Sequence, residues 1–357
     1  MRTSFKLLSG DPPRSRLLAL LLIVIVLGLV LAPFVFPGAR ALNVAAKICI
    51  FIVLVASYDL LLGYTGIVSF AHTMFFGIGA YGVAIALTRI GPTWGAVAAG
   101  AGVALALSVA LSLVIGLVSL RVRAIFYAMI TLAVAAAFQT LASQLSDFTG
   151  GEDGLSVKVP ELLTPGFTLA DEPWFGVSPD GKLIAYYLLF LAALALFLVM
   201  LRIVNAPFGR VLQAIRENEF RAEALGYRVV VHRTLSNILA AVFATAAGAL
   251  LALWLRYTGP DTSLSFEIMV DILLMVVIGG MGTMYGAVIG ATLFILAQSY
   301  LQDLMKLASE GLATLPVAGG FLAALFSPDR WLLWLGVLFV LSVYYFPSGI
   351  VGRLRRK

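Results

Sequence analysis

Apolar runs of about twenty residues, the length of a helix that crosses a bilayer, recur from Leu17 to Tyr345, separated by short polar or glycine-bearing connections. The pattern predicts ten spans: 17–36, 42–62, 66–88, 94–118, 124–145, 184–204, 236–256, 267–281, 284–303 and 330–347. The first, LLALLLIVIVLGLVLAPFVF, has a longer apolar core than a secretory signal, and no small-x-small cleavage site follows it, so it is expected to be a retained span. Two stretches interrupt the rhythm. Residues 146–183 are polar and proline-bearing, and GRVLQAIRENEFRAEALG (209–226) crowds six charged side chains into a short segment.

Composition turns this pattern into a class. Of 357 residues, 61% are hydrophobic and 12% charged, against about 25% charged in soluble domains, and the mean hydropathy is +1.03. The expected fold is an all-α integral membrane protein, one transmembrane domain over 1–357, with glycine-rich broken or tightly packed helices. The single cysteine, Cys49, lies inside an apolar run, so no disulfide framework is available.

The formal charge of +6 reads as membrane topology rather than nucleic-acid binding. Basic residues gather at Arg2, Lys6, Arg14 and Arg16, at Arg121 and Arg123, at Arg202, Arg210, Arg216, Arg221, Arg228 and Arg233, and at Arg353, Arg355, Arg356 and Lys357. With ten spans all four groups fall on one side, which the positive-inside rule makes cytoplasmic together with both termini. The other side receives 146–183, where Asp147, Glu152, Asp153, Glu161, Asp171, Glu172 and Asp180 face only Lys158 and Lys182. That loop is expected to be an external cap.

The segment 209–226 is therefore predicted to be a cytoplasmic helix. At 100° per residue Leu212, Ile215, Ala222 and Leu225 share one side, and Gln213, Arg216, Glu217, Phe220 and Glu223 another. Pro207 and Gly209 mark its start, Gly226 its stop, and Glu217–Arg221 is an i,i+4 pair. A helix lying on the bilayer surface explains the apolar stripe. It does not explain Phe220 among charges, which suggests a surface that a partner buries.

Glycine gathers in two places. Residues 63–82 carry Gly63, Gly66, Gly77, Gly79 and Gly82 with Ser69, His72 and Thr73, and a later segment spaces Gly282, Gly286 and Gly290 by four. The second pattern is a helix-packing face. The first is either close packing or a helix break lining a path, where free N–H groups could meet a substrate carboxylate. Gly63, Gly66, Ser69, His72, Tyr81 and Thr131 are the candidate path residues, although His72 alone reads more simply as a hydrogen-bonded helix contact. Asp59, Glu267 and Asp271 are read as interfacial. DLLLGYTG (59–66) and DILLMVVIGGMG (271–282) each place an Asp before a glycine-rich break, a faint internal likeness.

No catalytic or metal-binding constellation emerges. GVSPDGKL (176–183) imitates a phosphate-binding loop but ends in Leu183 where Ser or Thr must hold magnesium. No acidic residue is placed at the midplane, which weighs against ion-coupled transport, since that needs titratable groups deep in the membrane.

APFGRVLQAIRENEFRAEALGYRV resembles the cytoplasmic loop of permease subunits of high-affinity branched-chain amino-acid ABC importers. GYTGIVSFAHTMFFGIGAYG (63–82), LRVRAIFYAMITLA (120–133), TGGEDGL (149–155) and GGMGTMYGAVIGA (279–291) resemble that family's other landmarks, in its order. The chain departs from the family pattern at Ile67, Ala71 and Ala287. The resemblance implies an inner-membrane, non-enzymatic transport subunit in which 205–233 is the loop that seats in a groove of an ATPase. Arg210, Gln213, Arg216, Glu217, Phe220, Glu223 and Gly226 are then the coupling residues. It also implies two cytoplasmic ATPase subunits that use the ATP and magnesium, a second homologous permease and a periplasmic solute-binding protein. This chain itself would hold no cofactor. Urea, short amides or aromatic acids remain alternative solutes, and an ion-coupled transporter is the alternative class.

Overall fold

The computed structural model describes residues 15–35, 38–119, 124–168, 180–313, 325–346 and 348–355. Arg2, Lys6, Arg14, Arg121, Arg123, Arg356 and Lys357 of the topology argument, and Asp171 and Glu172 of the acidic loop, lie outside those residues. The described chain is almost entirely helical: α1 (Arg16–Val35), α2 (Ala39–Thr65), α3 (His72–Arg89), α4 (Trp94–Ser119), α5 (Ala124–Gln144), α6 (Gly181–Asn205), α7 (Pro207–Glu217), α8 (Glu219–Ala224), α9 (Val229–Leu255), α10 (Phe266–Gly279), α11 (Met284–Ala313), α12 (Trp331–Tyr345) and α13 (Gly349–Arg355). Among the described residues nine segments are long and apolar enough to cross a membrane.

Helix α2 is the axis of the bundle. Every residue from Ile48 to Leu61 is buried, and α3, α6, α9, α10 and α11 surround it. Outward-facing Val24 of α1, Val103 of α4, Ile125 of α5 and Leu332 of α12 are exposed, as expected of a periphery that meets lipid rather than water.

The third predicted span, 66–88, is corrected. Gly66 takes a left-handed conformation (φ +73°) and its N–H closes on the Leu61 carbonyl, which ends α2. Residues 66–71 are non-helical and α3 begins only at His72. Thr131 Oγ1 accepts the Phe70 N–H at 3.0 Å, so α5 satisfies the backbone that the break releases. Helix α3, 18 residues long, is not among the nine apolar spans; the bundle encloses it, with 71–81 continuously buried.

Glycine permits that enclosure. A Cβ on Gly79 would strike the Thr245 carbonyl of α9, and one on Gly248 of α9 would strike the Phe76 carbonyl of α3. The two backbones therefore touch directly. Thr245 Oγ1 sits in the same contact, bonded to the Phe75 carbonyl at 3.1 Å and to Ser108 Oγ at 2.6 Å. In the later glycine pattern Gly286 and Gly290 lie on α11 against the α10 backbone at Gly279 and Met275. Gly282 does not join them: it stands in the turn before Met284 at φ +79°, so the packing face has two glycines rather than three.

The bundle has two functional ends. At one, Leu18 of α1 packs with Ile289 of α11 and Val351 of α13, and Gly349 rests against Gly280. The start of α1 and the end of the described chain therefore share this end. At the other, Arg89 at the foot of α3 donates to the Asp147 carbonyl. Loop residues 146–168 fold over this end. Their strand β1 (Leu155–Ser156) pairs antiparallel with β2 (Tyr257–Thr258), in the register Leu155↔Thr258 and Ser156↔Tyr257. Arg256 Nη2 donates to the Leu163 carbonyl at 2.7 Å. Within GVSPDGKL, residues 176–179 lie outside the described residues, and Asp180 N-caps α6 by accepting the Leu183 N–H at 3.0 Å.

Candidate functional site

The polar segment lies at the same end as the start of α1 and α13, across the length of α6 from the 146–168 loop. Pro207 occupies the first turn of α7, where its missing N–H costs nothing. Leu212, Ile215 and Ala222 are buried against the bundle. The single helix predicted over 209–226 is corrected to two. Asn218 adopts an extended conformation (φ −157°, ψ 100°), and its side chain accepts the Arg221 N–H at 2.9 Å to cap α8. Asparagine is among the strongest N-capping residues, so a sequence signal for this kink was present. The kink puts Glu217 and Arg221 on separate helices, so the expected i,i+4 pairing within one helix does not arise. Glu219 instead makes a two-pronged ion pair with Arg233 of α9, at 2.9 and 3.1 Å. Leu225, assigned to the apolar side, is exposed, because the chain unwinds into Gly226 (φ +91°).

Arg210, Gln213, Glu217, Phe220, Glu223 and Gly226 all lie on the open surface, and Phe220 is 84% exposed. Arg216 is exposed as well, but its guanidinium reaches the bundle, where Nη1 donates to the Gly63 carbonyl. Gly66 faces its Cγ, and Gly282 faces its Nη1 so closely that a Cβ at Gly282 would lie 2.9 Å away. Asp59 Oδ1 accepts the Gly282 N–H at 2.8 Å, and its carboxylate lies within electrostatic reach of Arg216.

Two helix breaks distant in sequence, at Gly66 and at Gly280–Gly282, thus meet under one arginine of the surface segment. Both need φ values that L side chains rarely adopt. Asp59 was read from sequence as interfacial; it is buried and ties the two breaks together. A lone Asp inside the apolar run 48–62 was the signal for it, because charge inside a span is costly unless partnered. Chemically, this arrangement can carry displacement: a push on α7 reaches the end of α2 through a charged hydrogen bond, and Asp59 of α2 ties that end to the Gly282 turn that follows α10.

The candidate path residues sit together only in part. Gly63 and Gly66 belong to the arginine site. His72 is 1% exposed, with Nε2 2.8 Å from Ser57 Oγ. The Ser57 hydroxyl proton points to the Leu54 carbonyl at 2.7 Å, so the network gives the His72 proton to Nε2. Ser69 bonds the Tyr127 hydroxyl, which also donates to Asn237 Oδ1 at 3.3 Å. Thr131 supports the 66–71 backbone as described. Tyr81 packs elsewhere, with Ala142 and Leu264. These groups form a packed polar interior between α2, α3, α5 and α9.

A helical bundle of this kind, with nine apolar spans among the described residues, broken helices and a polar surface segment latched to the breaks, defines a multi-pass integral membrane protein. The chain belongs to the family described as the branched-chain amino acid transport system / permease component, whose model matches residues 40–345. It is 27% identical over 316 residues to the high-affinity branched-chain amino acid transport system permease protein LivM of Salmonella typhimurium, covering 83% of this chain and 71% of the relative. With LivM of Escherichia coli it is 28% identical over 281 residues, covering 73% of this chain and 63% of the relative. With a probable LivM of Methanocaldococcus jannaschii it is 30% identical over 173 residues, 48% and 47% of the two chains. No solved structure matches the chain.

Proposed function

We propose that this chain is the membrane-spanning subunit of an ATP-binding-cassette importer for branched-chain or chemically related amino acids, with the 207–226 segment as its power input. The observation that carries this reading is Arg216, which joins the surface segment to both helix breaks. One of two ATPase subunits seats on the exposed face around Phe220, and the ATP-driven closure of the pair moves α7 and α8. Arg216 passes that movement to the ends of α2 and α10, while the directly touching backbones of α3 and α9 move as one unit. A second permease completes the path, and a periplasmic binding protein meets the 146–168 end, which makes the 207–226 end cytoplasmic. The names of the LivM relatives support the solute class.

The test is uptake by the reconstituted complex of this chain with its companion permease, ATPases and binding protein. Phe220→Ala removes an aromatic anchor of the kind that costs about 2 kcal/mol or more at an interface, so ATPase association should weaken by roughly 30-fold. Arg216→Glu should leave ATPase association intact and abolish solute uptake. Normal uptake in both variants would reject the coupling assignment, and uptake by this chain alone under an ion gradient would reject the class.

A further inference from the structure

A second polar site lies at the opposite end from Arg216, between α2, α9, α10 and α11. It is a cleft of about 830 Å³, within the range of small-molecule sites, roughly 300–1,000 Å³. Lys47 of α2, Asp271 of α10 and Gln298 of α11 converge in it. The Lys47 ammonium lies 3.5 Å from Gln298 Oε1, and Gln298 Nε2 lies 3.4 Å from Asp271 Oδ2. Both separations are at the long limit of hydrogen bonding, so the three groups are gathered but not closed on one another. At the rim, Arg40 is held by Asp303 at 2.7 Å and by the Ser299 carbonyl at 2.6 Å. It is thereby committed, whereas Lys47, exposed on the cleft, makes only the long contact with Gln298 and lies 5.7 Å from the centre of the Phe51 ring. The opposite wall is apolar, with Ile50, Phe51, Trp254 and Ile268.

The depth of these groups matters. Lys47 stands eight residues after Ala39 in α2, about 12 Å along the helix at 1.5 Å per residue. A lysine and a carboxylate at that depth are expensive against lipid and mark solute or ion pathways in membrane proteins. Asp261 and Glu267 also line the cleft, so its acidic side outweighs Lys47. The Lys47–Gln298–Asp271 row, a cation and a carboxylate with an amide between them, faces an apolar wall and matches a solute with an ammonium and a carboxylate on one carbon and a hydrocarbon side chain. We infer that the Lys47–Gln298–Asp271 cleft is a binding site for a zwitterionic, apolar amino acid within this chain. Lys47 meets the carboxylate, Asp271 meets the ammonium, and Phe51 and Trp254 bound the side chain. The inference rests on the amino-acid importer reading and adds to it a site at which the permease itself contacts the solute.

The experiment uses the assembled importer in nanodiscs, with Cys49→Ala and a reporter cysteine at Asn43, an exposed position on the cleft wall. The rate of alkylation of the Asn43→Cys reporter is read by mass spectrometry of this chain. Leucine at twice its dissociation constant should slow alkylation about threefold by mass action. Leucinamide, which lacks the carboxylate, and 4-methylpentanoate, which lacks the ammonium, should leave the rate unchanged. Lys47→Met and Asp271→Asn should each remove protection by leucine, and Lys47→Arg should retain it, which separates loss of charge from loss of packing. Equal protection by either one-charge analogue overturns the inference, as does protection that survives both neutral variants. So does absence of protection by leucine in a preparation that transports leucine. Should the wild-type complex transport no amino acid, the importer reading fails on that observation alone, and leucine protection at the reporter still decides the site.

Discussion

Asp59 places a buried carboxyl between the two helix breaks. Its Oδ1 accepts the Gly282 N–H, and the guanidinium of Arg216 lies nearby, bound to the Gly63 carbonyl. Leaving a buried donor without its partner costs about 1–3 kcal/mol, and Asp59→Leu does so at the Gly282 N–H. Asp59→Leu should therefore lower the thermal stability of the detergent-solubilised complex. Asp59→Asn, whose carbonyl still accepts the Gly282 N–H, should recover part of the loss. If the asparagine and leucine variants melt together, the hydrogen bond to Gly282 contributes little, and the carboxyl next to Arg216 carries the whole effect.

At the scale of elements, the decisive contacts are glycine-mediated. Helix α3 crosses α9 with Gly79 and Gly248 placed so that each backbone lies against the other. Forcing extra carbon into a packed interior costs about 1–3 kcal/mol, and here the obstacle is main chain, which yields less than a side chain. Gly248→Ala should lower the yield of folded protein in the membrane, measured by fluorescence-detected size exclusion. Gly102, with no atom within 4 Å of its notional Cβ, should accept alanine without effect. Asn218→Ala should loosen α8 by about 1 kcal/mol, the usual cost of a lost N-cap, and raise hydrogen exchange over Glu219–Ala224 while leaving α7 protected.

These elements also show what sequence could and could not reveal. Hydrophobic run length located nine of the ten spans, because a bilayer imposes the same length on every helix that faces it. It misplaced the start of α3, because that helix faces protein on all sides and its boundary is set by one backbone angle at Gly66. The wheel over 209–226 placed Leu212 and Ile215 correctly within α7. It also placed Ala222 correctly, beyond the Asn218 kink, and failed at Leu225, where α8 has ended and the chain unwinds into Gly226. The meeting of Gly63 and Gly282 under Arg216 was not legible, since it depends on contacts more than 150 residues apart. The faint likeness of 59–66 and 271–282 pointed to the two breaks. It also equated two aspartates that the fold separates: Asp59 joins the breaks, and Asp271 opens on the cleft at the other end.

The molecule as a whole has two ends joined by one axis. Helix α2 begins beside the Lys47 cleft and ends at Gly63 and Gly66, beside Arg216. Helix α10 runs the same way, from Asp271 to Gly280. A displacement delivered through Arg216 therefore acts on the far ends of the two helices that supply Lys47 and Asp271. Such a lever works as an importer only if the two ends face opposite compartments, with Arg216 on the side where ATP is available. Both ends offer exposed reporters, Phe220 at one and Glu152 at the other. In a Cys49→Ala background, a membrane-impermeant thiol reagent applied to intact spheroplasts should label Glu152→Cys and spare Phe220→Cys. After the membrane is opened, Phe220→Cys should become reactive, unless the assembled ATPases cover it, in which case their removal with urea should restore labelling. Labelling of Phe220→Cys in sealed spheroplasts would reverse the orientation and place the coupling surface where no ATPase can reach it.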